Sequence, residues 1–271
     1  MEIKILGPLD GRVCDVSVVP TASKPRQVFA MLALSVGQVV SVPVLMEELW
    51  GEEPPRSAST TLQTYVLQLR RQLESALEKD PSRTAKDVLR SRFNGYLIDA
   101  VPQDVDVYEY EQLAARGRQA LGAGDPESAA RLLQEALDVW RGPVLVDVNT
   151  GPRLAVEQVR LEESRLVVLE TRIEADLMLG RHYAVLGELS VLAAQHPWHE
   201  NLHAHYMVAL YRTGRQWQAL EVYRKLRETL IDEFGLEPSR RLQRVQQAIL
   251  GADPVLEQLN VGVGGAMALH D

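Results

Sequence analysis

A chain of 271 residues with a formal charge of −8 is long enough for two domains that each bury a core. Its single cysteine, Cys14, excludes an internal disulfide and a cysteine-built metal cluster, and points to a reducing compartment. No apolar run reaches the roughly 18 residues of a membrane span, and Met1-Glu2-Ile3-Lys4 lacks the pattern of an export signal, so a cytoplasmic protein with no membrane partner is expected.

The charge is unevenly placed. Residues 1–98 hold 12 Lys/Arg against 11 Asp/Glu, net +1, whereas residues 99–271 hold 17 against 26, net −9. The first part can approach a polyanion; the second is repelled by one and is left for a protein partner.

Residues 3 to about 19 alternate apolar and polar side chains, with breaks at Gly7-Pro8 and Asp10-Gly11. The spacing predicts a short antiparallel sheet with a hairpin turn at Asp10-Gly11. Lys24-Pro25-Arg26-Gln27 opens a helix to about residue 36, with proline in the first turn, where its missing N–H costs nothing, and Gly37 closes it. Val39-Val40-Ser41-Val42 reads as a brief strand, and residues 43–50 as a short helix stopped by Gly51.

A helix with two chemically different faces follows over about 57–77. Leu62, Val66, Leu69 and Leu73 stand at i, i+4, i+7 and i+11, a core-facing stripe. Thr61, Thr64, Tyr65, Gln68 and Gln72 form the opposite face, and no Asp or Glu occurs between Arg56 and Glu74. A surface helix of an acidic chain is ordinarily dressed in Glu and Lys, so an uncharged polar face ending in Arg70-Arg71 suits a helix that lies against phosphate. Residues 90–98 then place Asn94-Gly95 between extended segments, which predicts a second hairpin.

Sheet, three helices and hairpin, with Leu49-Trp50-Gly51, Leu62-Gln63-Thr64-Tyr65-Val66, Leu69-Arg70 and Gly95-Tyr96-Leu97, resemble a winged helix of the response-regulator (OmpR) type. The resemblance implies that the third helix enters the DNA major groove and that the hairpin is a wing beside the minor groove. Gln63, Thr64 and Gln68 are then the base-reading candidates, since Gln pairs with adenine and a Thr methyl packs on that of thymine. Lys24, Arg26, Arg56, Thr60, Thr61, Tyr65, Arg70, Arg71, Arg92 and Asn94 are the phosphate candidates.

From Asp106 the pattern is continuously helical. Gly180-Arg181 and Gly214-Arg215 lie 34 residues apart, with Gly124-Asp125 in the same role earlier, and the residues five and six beyond each glycine are Ala129-Ala130, Val185-Leu186 and Ala219-Leu220. That period is the tetratricopeptide spacing, in which helix pairs stack because each leaves a stripe for its neighbour to cover. The interval from Gly124 to Gly180 is longer, and an extra element between Gly142-Pro143 and Pro152 is expected to fill it. The fold expected is mainly α: a winged helix-turn-helix with small β-sheets over 1–98, a linker over 99–105, a helical repeat domain over 106–255 and a flexible tail over 256–271.

Leu137-Asp138-Val139-Trp140-Arg141-Gly142, the run from Glu174 to His182, His196-Pro197, the run from Ala209 to Arg215, and Phe234-Gly235-Leu236-Glu237-Pro238 resemble the bacterial transcriptional activation domain that follows a winged helix in the Streptomyces antibiotic regulatory protein (SARP) family. The match covers roughly residues 1–255, and the length is similar to that of the small, single-pathway members. It implies an activator of a secondary-metabolite cluster that binds double-stranded DNA at promoter direct repeats, pairs as a homodimer there and recruits RNA polymerase holoenzyme. A DNA-binding repressor or ligand-sensing regulator, and a repeat scaffold for a protein partner, are the alternatives.

His199-Glu200-Asn201-Leu202-His203 matches H-E-x-x-H, a zinc-hydrolase motif. It stands within the repeat array, where Leu202, Tyr206, Ala209 and Leu210 supply a packing face. Phosphate-loop, dinucleotide and nucleophile-elbow patterns are absent. No catalytic residue, metal or cofactor is therefore expected, and Trp140, Trp198 and Trp217 read as core or groove aromatics.

Overall fold

The computed structural model describes residues 1–78, 82–253 and 256. The chain divides into two compact units, Met1–Leu113 with Glu135–Leu166, and Ala114–Gln134 with Val167–Asp271. Apart from Leu256, the tail expected over 256–271 lies outside the described residues.

The first unit opens with a three-stranded antiparallel sheet of β1 (Glu2–Lys4), β2 (Asp10–Val13) and β3 (Val16–Ser17). Its tight turn is not at Asp10-Gly11; those residues begin β2, and the chain reverses at Cys14 and Asp15, with φ of 49° and 62°. A two-residue hairpin loop requires that left-handed backbone, which Asp tolerates well. α1 (Ser23–Leu34), β4 (Val40–Ser41), α2 (Val42–Trp50) and α3 (Ala58–Leu77) fall within about two residues of expectation. The one-turn helix α4 (Ala85–Val88) precedes the hairpin of β5 (Leu89–Arg92) and β6 (Gly95–Ile98). Four residues are too few for helical periodicity to register in a sequence.

The second sheet has the antiparallel order β4-β6-β5. Its hairpin turns at Phe93-Asn94, one residue before the expected Asn-Gly, because Gly95 is drawn into β6. A Cβ there would stand 2.5 Å from the Val40 carbonyl oxygen, so glycine is required by the approach of β4. On α3 the apolar stripe is inside, with Leu62, Val66, Leu69 and Leu73 exposed by only 1–4%. Leu69 and Leu73 line one small cavity with Phe29 and Leu32 of α1 and with Val88, Leu89 and Ile98. Burying each such side chain stabilises by about 1.5–3 kcal/mol, so the orientation of α3 is strongly fixed.

α5 (Asp106–Gly122), α6 (Pro126–Asp138) and α7 (Pro152–Met178) follow. The extra element is a non-helical strap over 139–151, and it is part of the first unit. Arg141 N donates to Leu6 O at 2.8 Å and Leu145 N to Ile5 O at 3.2 Å. Asp147 accepts from Leu9 N at 2.7 Å, and Asn149 Nδ2 donates to Ser23 Oγ at 3.1 Å. The Glu48 carboxylate of α2 accepts from Gly151 N, Arg153 N and Leu154 N at 2.6, 2.9 and 3.2 Å. An anion there satisfies orphan N–H groups of the α7 terminus and meets its positive dipole end.

The second unit contains α8 (His182–Gln195), α9 (Glu200–Arg212), α10 (Gln216–Phe234) and α11 (Arg240–Leu250). Gly124, Gly180 and Gly214 have φ of 77°, 74° and 78°, the same left-handed turn at each repeat position. Five residues on, Ala129, Val185 and Ala219 are at most 1% exposed, which is the stacking that the period implies. The H-E-x-x-H residues are spent within the unit. His199 Nε2 lies 2.9 Å from the buried Glu170 carboxylate, Glu200 accepts from Ser239 N at 2.8 Å, and His203 Nδ1 is 3.2 Å from His199 O. Their side chains face separate partners rather than a common ion.

His205 of α9 is fully buried, and neither ring nitrogen has a hydrogen-bond partner among the described residues. Burial first, and then the Arg241 and His199 charges, push its pKa down from 6.5 to about 3. Above 6.5 the imidazole is neutral in both folded and unfolded chains and costs nothing; below it the unfolded chain takes up a proton that the folded one refuses. Stability is therefore lost as pH falls from about 6.5 to about 3. The thermal midpoint of the native chain should drop more between about pH 7.5 and pH 5 than that of His205→Leu. Equal drops in the two proteins would show that other groups control acid lability.

Candidate nucleic-acid interface

With its apolar stripe buried, α3 turns Thr60, Gln63, Thr64, Leu67, Gln68 and Arg71 to solvent. The spacing i, i+3, i+4, i+7, i+8 and i+11 makes this one continuous face. Thr64 Oγ1 donates to Thr60 O at 3.1 Å, which leaves its methyl and its oxygen lone pairs outward. Arg56 before the helix, Arg71 on it and Arg92 on the wing are exposed, and among the described residues none has an ion-pair partner within 4 Å. Asn94 is exposed at the wing tip, its backbone oxygen accepting from Val42 N at 2.8 Å. Thr61 is half-buried, its hydroxyl 3.5 Å from Ser57 Oγ, and Tyr65 is half-buried with its ring stacked on Trp50 at 6.5 Å and 22°.

Three of the basic phosphate candidates have other work. Arg70 donates through Nε and Nη2 to Leu89 O at 3.2 and 2.9 Å and through Nη2 to Ser91 Oγ at 3.0 Å, tying β5 to α3. Arg26 donates to Pro20 O and forms a 2.8 Å ion pair with Asp147 of the strap. Lys24 Nζ donates to Leu49 O at the end of α2. Sequence proximity to α3 raised both α1 residues as candidates, but the strap and α2 supply carbonyl and carboxylate acceptors that only the tertiary fold brings near. Reading the sequence also passed over Leu67, 49% exposed in the middle of the polar face. Its signal was available: it stands four residues after Gln63 and four before Arg71, outside the apolar stripe.

Residues 17–98 match the domain described as "Transcriptional regulatory protein, C terminal", and residues 105–250 match the "Bacterial transcriptional activator domain". Over 258 residues the chain is 55% identical to the regulatory protein DnrI of Streptomyces peucetius, covering 95% of each. The chain belongs to the SARP family. The transcriptional regulator RedD of Streptomyces coelicolor is 38% identical over 95% of this chain and 72% of its own length. The solved structure of Mycobacterium tuberculosis EmbR, in complex with a low-affinity phosphopeptide, is similar with a TM-score of 0.86 at 31% identity, covering 96% of this chain and 68% of that one. As a SARP member the chain is a DNA-binding transcriptional activator. Its winged-helix and helical-repeat architecture is the one the SARP resemblance implied. No helix among the described residues is long and apolar enough to cross a membrane.

Proposed function

We propose that this SARP protein activates an antibiotic-type biosynthetic cluster by laying α3 in the major groove of promoter DNA. The exposed face of α3 carries the reading: amides, hydroxyls and one leucine without an acid, backed by a buried stripe and flanked by Arg56, Arg71 and Arg92. Gln63, Thr64 and Gln68 reach base edges, and Leu67 offers a surface to a thymine methyl. Arg56, Thr60, Arg71, Arg92 and Asn94 meet phosphate and set register, with Thr61 and Tyr65 at the flank. Residues 1–98 form the DNA-binding part and 106–255 the activating part.

One winged helix covers too few base pairs to select a site in a genome. Two copies therefore occupy a direct repeat with half-sites about one helical turn, roughly 10–10.5 bp, apart. The acidic second part pairs the copies and contacts RNA polymerase holoenzyme. Gel shifts and footprints on promoters neighbouring the gene, at two salt concentrations, test the DNA step. Transcription in vitro with purified holoenzyme tests the second. A paired footprint and raised transcript yield are expected; a lowered yield would make the protein a repressor, and no footprint would leave a protein-binding scaffold.

A further inference from the structure

Phe93 is 104% exposed, whereas Phe29 is 3% exposed and Phe234 packs edge-on against Trp198. It sits at the tip of the β5–β6 hairpin with φ of 49°, in the left-handed region that a bulky side chain rarely enters. Neither property serves the fold, since a glycine would take that backbone without strain and, among the described residues, no side chain covers the ring.

The hairpin carrying it is held firmly. Gly95 abuts the Val40 carbonyl, Val42 N donates to Asn94 O at 2.8 Å, and Arg70 fastens Leu89 and Ser91 to α3. The ring is therefore presented at a fixed offset from the exposed face of α3. Its surroundings are cationic: between Asp87 and Asp99 there is no acid. Arg90 is paired with Asp99 at 2.6 Å, while Arg92, next to Phe93 in the chain, has no ion-pair partner within 4 Å among the described residues.

We propose that Phe93 is an apolar wedge that enters the minor groove next to the major-groove segment held by α3, a role that rests on α3 being the reading helix. Minor-groove walls are deoxyribose C–H surface, and inserted apolar side chains part a base step and kink the duplex. Arg92 answers the negative potential of that groove, and the insertion is easiest at a flexible pyrimidine–purine step. An aromatic reserved for a protein surface has no need of an acid-free, arginine-flanked tip, which favours nucleic acid as the occupant.

The test uses the full chain and a duplex chosen by selection from random sequence, with 2-aminopurine placed across the wing-side step. Phe93→Gly should melt at or above the native temperature, because glycine relieves the backbone, yet bind about tenfold more weakly and lose the fluorescence rise that reports unstacking. Phe93→Leu should restore much of both. Native affinity and native fluorescence in Phe93→Gly would overturn the wedge. So would a variant that binds and unstacks DNA normally but no longer self-associates or recruits polymerase, which would make the tip a protein contact. Gln68→Ala separates the two levels: if it changes the selected sequence while Phe93→Gly changes nothing, only the wedge fails; if neither changes anything, the α3 reading fails as well.

Discussion

Replacing Glu48 by alanine is expected to destabilise the first unit by about 3–5 kcal/mol, because several charge-assisted hydrogen bonds are lost and the buried donors among them are left unpaired. Glu48 is 2% exposed, and its carboxylate receives three backbone N–H groups at the start of α7 and Gln27 Nε2 at 3.0 Å. Of those four donors, the Leu154 N–H and Gln27 Nε2 belong to buried residues and are shut off from water. Glu48→Gln keeps the shape but points an amide nitrogen at groups that donate, so an intermediate loss is expected. Gly151→Ala attacks the same junction sterically, since a Cβ at Gly151 would stand 2.0 Å from Glu48 O, in backbone that cannot yield. Urea unfolding followed by fluorescence measures all three; a change in unfolding free energy within the roughly 0.5 kcal/mol seen for surface substitutions would refute the assignment. The functional consequence lies two residues on, where α2 ends at Trp50, the ring on which Tyr65 of α3 stacks.

The second large effect is on sequence discrimination. Gln63→Ala with Gln68→Ala removes two side chains that can pair bidentately with adenine, each worth about 1–3 kcal/mol of preference for the right base. The double variant should therefore lose most of its margin between a selected site and random duplex while keeping its affinity for random DNA. Arg71→Ala should behave in the opposite way, weakening every sequence alike and lowering the slope of log K against log salt by about 1. Competition binding at several salt concentrations measures both quantities. If the glutamine variant and Arg71→Ala lose affinity in the same pattern, the division into base and phosphate contacts is wrong.

Much of this was legible because long periodic patterns carry it. The stripe Leu62, Val66, Leu69 and Leu73 announced which side of α3 is buried, and the glycine period announced the stacked helices with Ala129, Val185 and Ala219 inside. Turns were misplaced by residues whose reason is tertiary: Gly95 reads as a turn glycine but is needed where β4 comes close. Lys24, Arg26 and Arg70 look like phosphate ligands in one dimension, yet their acceptors come from Leu49, Asp147 and Leu89, of which Asp147 is 121 residues away from Arg26. The strap was foreseen as an insertion, but its hydrogen bonds to β1 and α2 follow no local rule. Leu67 is silent in the sequence because a lone apolar residue on a surface is ordinarily uninformative, and Phe93 shows there only as an unusual residue at the wing tip; the exposed face around the first and the backbone angle of the second give them meaning.

The most direct trial of the account places a cutter on the proposed reading face. Cys14 is the only cysteine in the sequence, so Cys14→Ser with Thr64→Cys gives a single attachment point for an iron chelate that cleaves nearby deoxyribose. On a selected duplex, cleavage should fall in a narrow window at the major groove of each half-site, repeated about one helical turn along. Cuts spread evenly over the duplex, or absent while the protein remains bound, would contradict the claim that α3 lies in the groove.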